Sequence, residues 1–236
     1  MCAEKCSKDF NVSREEQDAY TMNSYHRARK AIEEGKFAHE IVPVHIPQRK
    51  GPAKVIDTDE EPIDVDFAKV PTLRPAFQKD GGTVTAANAS SLNDGAAAMV
   101  IMSHQRAADL GIEPLARIRG YGDAAQLPEN FTTTPSLAVP VALANAGMQL
   151  TDVEYHEINE AFAVVALANM RLMNLDPDKV NVYGGAVALG HPIGMSGARI
   201  IGTLYHVLKD KDVAIGCASI CNGGGGASAL IIERLK

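Results

Sequence analysis

Four consecutive glycines, Gly223–Gly226, follow the apolar run VAIGCASI and the pair Cys221-Asn222. Ordering glycine costs more backbone entropy than ordering any other residue, so this run constrains what its neighbours can form. The flank ASALIIE resumes an apolar, β-capable pattern at once, which predicts a tight connection between two strands and not an interdomain linker. Such a turn can bring bare backbone N–H groups beside the Cys221 thiol. A purely structural turn is the other interpretation.

Strand and helix patterns alternate along the second half of the chain. LARIRGYGDAA and VEYHEI read as strands, residues 135–147 and 159–175 read as helices, and two closing strands flank the glycines. This alternation predicts an α/β layered domain.

The first half begins with a helix signal and continues with an irregular stretch. Residues 13–35 predict a helix, with Ser13 as the N-cap, Glu16 at the capping-box position and Gly35 as the stop. Residues 36–80 are rich in proline and charge, which predicts a long loop excursion of the kind that is usually functional. The glycine- and alanine-rich stretch after it reads as a helix or turn leading into a strand.

Charge and hydropathy exclude some classes of partner. The net charge is -6 and dense Lys/Arg tracts are absent, so nucleic acid is not an expected partner. The one basic cluster, His26-Arg27-Ala28-Arg29-Lys30, reads as a solvated helix face. No apolar stretch reaches the roughly 18 residues of a membrane span, and the first residues do not resemble a secretory signal.

The four cysteines form two pairs, Cys2/Cys6 and Cys217/Cys221. A disulfide within the second pair is excluded, because residues four apart along a strand lie about 13 Å from each other. Reduced thiols are therefore expected, as in a cytoplasmic or mitochondrial-matrix enzyme.

Three positions carry residue types suited to chemistry. HEINEAFA places Asn159 and Glu160 where a strand ends and a helix begins, although a plain helix cap would also explain Asn159. GGAVALGHPIGMSGAR sets His191 among glycines, which suggests a ligand close to the backbone, with a structural histidine as the alternative. With Cys221, these residues form a set of acid/base and nucleophile groups beside an amide-lined hole.

The motifs TVTAANASSLNDGAAA, NEAFA, GGAVALGHPIGMSGAR and CNGGGGASA closely resemble the thiolase family, in particular its acetyl-CoA acetyltransferases. The similarity covers essentially the whole chain. It implies the layered α-β-α-β-α thiolase architecture, with residues 1–91 as a loop-domain portion. Residues 92–114 would supply the last strand of the amino-terminal half and a linker, and residues 115–236 the carboxy-terminal domain.

The resemblance implies a two-step Claisen exchange between two acetyl-CoA molecules, giving acetoacetyl-CoA and CoA, or the reverse thiolysis. His191 would activate the nucleophilic cysteine and help hold the thioester oxygen, and Asn159 would position a water in the same oxyanion hole. Cys221 would remove the α-proton, and Gly223 would lend its N–H to the second oxyanion hole.

Ligand contacts are also implied, with no covalent cofactor. The positions that match the family's coenzyme A contacts are Tyr25, Asp64, Val65, Asp66, Lys69 and Ser90. The positions that match the potassium site of mitochondrial-type members are Tyr25, Ala86, Ala87, Ala89 and Val187. Family members assemble as dimers or tetramers, so a homo-oligomer is expected.

The largest departure from the family is that its strand-helix unit with the acyl-accepting cysteine has no counterpart here. Cys2 and Cys6 lie in a polar segment without that context. The expectation is therefore a carboxy-terminal portion of an acetyl-CoA acetyltransferase that is inactive by itself. The alternatives are a short non-catalytic protein that binds CoA or a thiolase subunit, and a non-functional remnant that folds poorly because its apolar faces are exposed.

Overall fold

The computed structural model describes residues 1–235. The helices are α1 (Cys2–Asp9), α2 (Arg14–Glu33), α3 (Glu61–Asp64), α4 (His104–Asp109), α5 (Pro135–Ala146), α6 (Ala163–Met173), α7 (Ala186–Leu189) and α8 (Ser196–Asp210). The strands are β1 (Val44–Ile46), β2 (Lys54–Ile56), β3 (Ala116–Ala125), β4 (Tyr155–Ile158), β5 (Ile215–Cys221) and β6 (Gly226–Arg234). None of the helices in the described part is long and apolar enough to cross a membrane.

A four-stranded sheet with the order β3-β6-β5-β4 forms the centre of the second half. β3, β6 and β5 pair antiparallel, whereas β4 pairs parallel with β5. The predicted strands and the hairpin around the glycines are therefore confirmed. Because β4 and β5 run in the same direction, their carboxyl ends meet at one edge of the sheet.

Helices cover both faces of this sheet. On one face α5 and α6 bury Val139, Leu143 and Val165 against the strands, and on the other face α8 buries Leu204 and Leu208. Burial of each such side chain contributes about 1.5–3 kcal/mol. The result is the layered α/β arrangement that the sequence predicts.

The close packing of α5 on β3 depends on two strand glycines. A Cβ at Gly120 would lie 2.5 Å from Ala142 O, and one at Gly122 would lie 2.5 Å from Ala142 N. These positions therefore exclude any larger residue, and α5 lies directly on the backbone of β3.

The helix predicted over 13–35 is confirmed as α2. Ser13 Oγ accepts from Glu16 N and the Glu16 carboxylate accepts from Ser13 N, which completes the capping box. Gly35 has φ +68° and ends the helix in the left-handed conformation that suits glycine. The helix predicted over 135–147 is α5, and it ends at Gly147 in the same conformation.

The segment between α2 and the sheet domain is irregular, as predicted. Within residues 36–80 the regular elements are the exposed β1–β2 ribbon, the short helix α3 and one 3₁₀ turn. The strand expected in residues 92–114 is not seen. Residues 92–103 are mostly exposed and form no helix or strand in the described chain, because no neighbouring strand offers them a ladder partner.

Candidate active site

The carboxyl ends of β4 and β5 bring two of the candidate residues to one edge of the sheet. Asn159 follows β4 directly, and its N–H donates to Ser219 O at 3.0 Å. Cys221 ends β5 two residues later, so both residues lie at the same edge. This is the edge at which open α/β sheets place ligands.

Asn159 reaches His191, which lies on the loop between α7 and α8. Asn159 Nδ2 is 3.3 Å from His191 Nε2, and Asn159 is 1% exposed. The helix-cap interpretation of Asn159 is wrong, because α6 begins after Phe162 and its N-terminus has no side-chain cap. The Asn159 side-chain amide instead contacts the His191 imidazole.

Ser196 fixes the imidazole from the other side. Its Oγ lies 2.6 Å from His191 Nδ1 and donates its only proton to Pro192 O at 3.0 Å. Nδ1 must therefore carry a proton and donate to Ser196 Oγ, which leaves the Nε2 lone pair facing Asn159 Nδ2. Burial, with a smaller effect of Arg199, lowers the pKa of His191 and favours the neutral form of the ring.

One buried acceptor at this pair has no partner. Asn159 Oδ1 is inaccessible to solvent and accepts no hydrogen bond among residues 1–235. A buried unpaired acceptor costs about 1–3 kcal/mol, so a water or ligand atom that donated to Asn159 Oδ1 would recover this free energy.

Glu160, next to Asn159, is fully buried and accepts four hydrogen bonds. Tyr20 Oη and Asn181 Nδ2 donate to Oε1 at 2.6 and 2.8 Å, and Ser24 Oγ and Val187 N donate to Oε2 at 2.9 and 3.1 Å. The donors lie on α2, on α7 and on the segment before α7. The carboxylate therefore ties the Asn159 turn to the segment that leads to His191.

A close contact completes this carboxylate site. A Cβ at Gly185 would lie 2.3 Å from the Glu160 carboxyl carbon, so only glycine fits there. Burial and the neighbouring Glu160 charge raise the pKa of Tyr20 well above its usual value, which keeps its hydroxyl a donor. The sequence motif NEAFA drew attention to Glu160. Its hydrogen-bond partners are distant along the chain, and no sequence pattern predicted that they would contact it.

Cys221 is 8% exposed and packs in the core cluster beneath the sheet edge. Burial raises the pKa of its thiol to about 12. His191 is not among the groups that lower this pKa, and among residues 1–235 no hydrogen bond joins Cys221 to Asn159 or His191. All four cysteines are free, as predicted, and Cys2 and Cys6 lie on α1.

The glycine run divides into structural and open positions. Gly225 has φ +98° and a Cβ there would lie 2.3 Å from Gln126 O, while a Cβ at Gly226 would lie 2.6 Å from the Asn222 side chain. At Gly223 a Cβ would meet nothing within 4 Å. The Gly223 N–H is exposed and has no acceptor among residues 1–235, so it is free to bind a ligand oxygen.

Four of the residues matched to coenzyme A lie at the end of α3 or shortly after it, whereas Tyr25 lies on α2 and Ser90 lies beside Ala161. Asp64, Asp66 and Lys69 are exposed, and Lys69 Nζ lies 3.3 Å from Asp66 Oδ2. The Val65 carbonyl accepts from Arg29 Nη2 at 3.0 Å, and Ser90 donates through both N and Oγ to Ala161 O. Ser90 is therefore held one residue from Glu160.

Two of the residues matched to potassium, Tyr25 and Val187, are buried in the same cluster. The carbonyl oxygens of Ala86, Ala87 and Ala89 accept no hydrogen bond among residues 1–235. Neutral carbonyl oxygens are the type of ligand that potassium takes in proteins, so the chemistry of these three residues is compatible with the ion.

Two family models match the chain in succession. The thiolase N-terminal domain matches residues 1–105, and the thiolase C-terminal domain matches residues 112–234. The chain belongs to the thiolase family. The layered α/β thiolase fold is confirmed, and the domain limits expected within it remain predictions.

Curated thiolases similar to this chain carry the name acetyl-CoA acetyltransferase. The chain is 55% identical to acetyl-CoA acetyltransferase 1 of Arabidopsis thaliana over 100% of its own length and 57% of that relative. It is 54% identical to the mitochondrial enzyme of Mus musculus over 99% of this chain and 55% of the relative. It is 53% identical to a cytosolic enzyme of Gibberella zeae over 100% of this chain and 59% of the relative.

Solved thiolase structures agree with this fold. The Bacillus anthracis acetyl-CoA acetyltransferase matches with a TM-score of 0.95 and 45% identity, over 99% of this chain and 59% of that one. The Acat5 thiolase of Ascaris suum, solved in complex with coenzyme A, matches with a TM-score of 0.92 and 48% identity over the same shares. The chain thus spans less than three fifths of the length of these thiolases.

Proposed function

We propose that this chain carries the proton-transfer residues of an acetyl-CoA acetyltransferase, which condenses two acetyl-CoA to acetoacetyl-CoA and CoA or runs the reverse thiolysis. The observation that carries the proposal is the Asn159–His191–Ser196 arrangement with its unpartnered Asn159 Oδ1. It is a preorganised polar site at a sheet edge, beside a thiol and a free backbone N–H.

The arrangement supplies donors for a thioester oxygen. A water bound to Asn159 Oδ1 donates one proton to that oxygen of the amide and offers the other to the substrate. The Gly223 N–H provides an independent donor near the Cys221 thiol. Each such donor is worth roughly 3–4 kcal/mol to a developing oxyanion.

Cys221 is the base in this proposal. Its thiolate removes an α-proton of acetyl-CoA, the C–H electron pair becomes the enolate, and the enolate carbon attacks an acetyl thioester. The new C–C bond replaces the C–S bond of that thioester, so acetoacetyl-CoA forms and the thiolate that carried the acetyl group leaves with the electron pair and takes up a proton. Burial makes the thiolate rare in the free protein, but it also makes it a strong base for a weakly acidic C–H. When the α-proton is transferred, Cys221 becomes a neutral thiol and the negative charge moves to the enolate oxygen, where the prepositioned donors stabilise it.

Coenzyme A contacts complete the proposal. Tyr25, Asp64, Val65, Asp66, Lys69 and Ser90 form the coenzyme-binding set. Lys69 offers a mobile point charge for phosphate groups once it leaves Asp66, and this exchange is inexpensive because the exposed pair contributes about 0–1 kcal/mol.

The potassium contacts belong to the same proposal. Tyr25, Ala86, Ala87, Ala89 and Val187 would hold the ion, which would supply positive charge and order the segment before Ser90. A homo-oligomer, dimer or tetramer, and a cytosolic or mitochondrial-matrix location are also proposed from the family. Light scattering of the purified chain tests the oligomeric state.

The decisive experiment isolates proton transfer from acyl transfer. Acetyl-CoA is incubated with the 236-residue chain in D₂O, and loss of the methyl proton signal is followed by NMR. The base half-reaction needs no acyl-accepting cysteine, so the proposal expects exchange in the wild type, its loss in Cys221→Ala and its retention in Cys2→Ala. No binding at millimolar CoA together with no exchange refutes the proposal.

The same exchange experiment, together with a titration of the chain with CoA, tests the alternative function. Micromolar CoA affinity without methyl exchange would support a non-catalytic CoA-binding protein and would remove Cys221 from the role of base. The observation that favours this alternative is the high pKa of the Cys221 thiol in the free chain.

A further inference from the structure

The backbone N–H of His191 is bound by a segment from a different part of the fold. It donates to Ser91 O at 3.0 Å and to Asn93 Oδ1 at 3.2 Å. Ser91 and Asn93 lie in the exposed, irregular stretch after Ser90, within the motif ASSLNDG. The proposed catalytic and binding roles use none of these contacts.

The Asn93 side chain occupies the space that a side chain at position 190 would fill. Gly190 has φ +84°, and a Cβ there would lie 2.1 Å from Asn93 Oδ1 and 2.4 Å from its carboxamide carbon. Both the left-handed conformation and the close approach require glycine. The residue before His191 is thus shaped to receive Asn93.

The same segment is tied to the proposed coenzyme site. Ser91 Oγ lies within hydrogen-bond distance of Glu61 Oε2 and 2.7 Å from Asn93 Oδ1. Its single proton prefers the charged carboxylate, which leaves Asn93 Oδ1 for the His191 N–H. Tyr25 Oη donates to Glu61 Oε1 at 3.3 Å. Hydrogen bonds therefore run from Tyr25 through Glu61 and Ser91 to the backbone of His191.

We propose that Asn93, with the Ser91 carbonyl, is a positioning residue that sets the backbone of His191 so that its imidazole meets Asn159. Ser196 fixes the ring at Nδ1, and Asn93 fixes the main chain from which the ring projects. Both contacts are needed, because the hydrogen bond between Nδ1 and Ser196 Oγ does not by itself fix the backbone dihedral angles at His191. The catalytic meaning of this role rests on the proposed function.

The main test compares two substitutions that differ only in the acceptor. Asn93→Ala removes it, whereas Asn93→Asp keeps an oxygen in a side chain of the same shape. Asp94→Ala, in the same exposed segment, is the matched control. Hydrogen exchange at the His191 amide is measured by NMR, and the ring tautomer is read from the ¹⁵N signals of labelled histidine.

Asn93→Ala is expected to exchange the His191 amide about tenfold faster, the effect of losing one hydrogen bond. It should also shift the ring ¹⁵N signal of Nε2, because the ring moves relative to Asn159 while Ser196 keeps Nδ1 protonated. Asn93→Asp and Asp94→Ala should keep the wild-type ring signals, and protection within about threefold. Unchanged protection in Asn93→Ala, or equal effects of Ala and Asp, would overturn the proposal.

A second measurement separates this proposal from the function on which it rests. Methyl exchange of acetyl-CoA in D₂O should fall about tenfold in Asn93→Ala at saturating ligand, with little change in the affinity for CoA. If the wild type shows no methyl exchange, the proposed function fails, whereas the amide and ring signals still decide the role of Asn93. Circular dichroism confirms that each variant is folded.

Discussion

Replacing Glu160 by Gln tests whether the buried carboxylate holds the site together. The carboxylate accepts two hydrogen bonds at each oxygen, and the Gln side chain keeps one oxygen and presents an NH₂ group in place of the other. Tyr20 and Ser24 hydroxyls can turn to accept from that group. Asn181 Nδ2 and Val187 N are obligate donors, so either orientation of the amide leaves one of them facing another donor.

The magnitude follows from this geometry. One stranded buried donor costs about 1–3 kcal/mol, and the remaining bonds lose the charge assistance that roughly doubles their strength. Relief from burying a charge offsets part of this loss. We therefore expect Glu160→Gln to lower the free energy of unfolding by about 3 kcal/mol. With a urea slope of about 2 kcal/mol per molar, the midpoint should fall by about 1.5 M.

The assay is urea unfolding followed by circular dichroism, with Glu33→Gln on the exposed face of α2 as the control. The control should shift the free energy by less than about 0.5 kcal/mol, because Glu33 is exposed and has no partner among the described residues. A loss in Glu160→Gln no larger than in the control would refute the reasoning. It would show that the four bonds do not compete effectively with hydration of the carboxylate.

Three further predictions follow from burial and backbone geometry. His156 is buried, and burial together with a smaller effect of Lys179 lowers its pKa to about 4. Its contribution to the free energy of unfolding is therefore present above about pH 6.5 and should be lost as the pH falls towards 4. Over this pH range the free energy of unfolding of the wild type should fall by about 3 kcal/mol more than that of His156→Gln. Equal decreases in urea titrations of the two proteins would contradict this prediction. Gly225→Ala should destabilise by more than about 1 kcal/mol, whereas Gly223→Ala, which keeps the N–H and whose Cβ meets nothing within 4 Å, should leave the unfolding midpoint unchanged. At pH 8 iodoacetamide should label half-buried Cys2 at least tenfold faster than Cys221, as read by peptide mass spectrometry, and equal labelling would contradict the buried, protonated thiol.

The parts of the fold that the sequence could predict rest on local signals. Ser13 and Glu16 are three residues apart and mark the start of α2, and Gly147 marks the end of α5 by its left-handed conformation. The glycine run gave the hairpin because its flanks alternate as strands. Each of these signals involves residues within one turn or one strand, where chain geometry alone fixes the outcome.

The hydrogen-bond partners of the site residues could not be predicted from local sequence patterns. Glu160 is satisfied by α2 and α7, whose residues are distant in sequence, and the His191 backbone is held by Asn93. The thiol pKa of Cys221 depends on burial, which a residue pattern does not measure. The strand expected within 92–114 is not formed among the described residues, and a strand also depends on a neighbouring strand, which its own sequence does not reveal.

The parallel pairing of β4 with β5 has a consequence for the order of folding. The β5–β6 hairpin closes through one asparagine and three glycines, residues 222–225, so it can form early and locally. Asn159 reaches Ser219 only after the whole crossover, residues 159–214, has folded back on the sheet, which is a slow, non-local closure. We therefore expect Cys221 and Gly223 to be in place before Asn159 and His191 arrive. Mutations in the crossover should then slow completion of the site in refolding experiments without disturbing the hairpin.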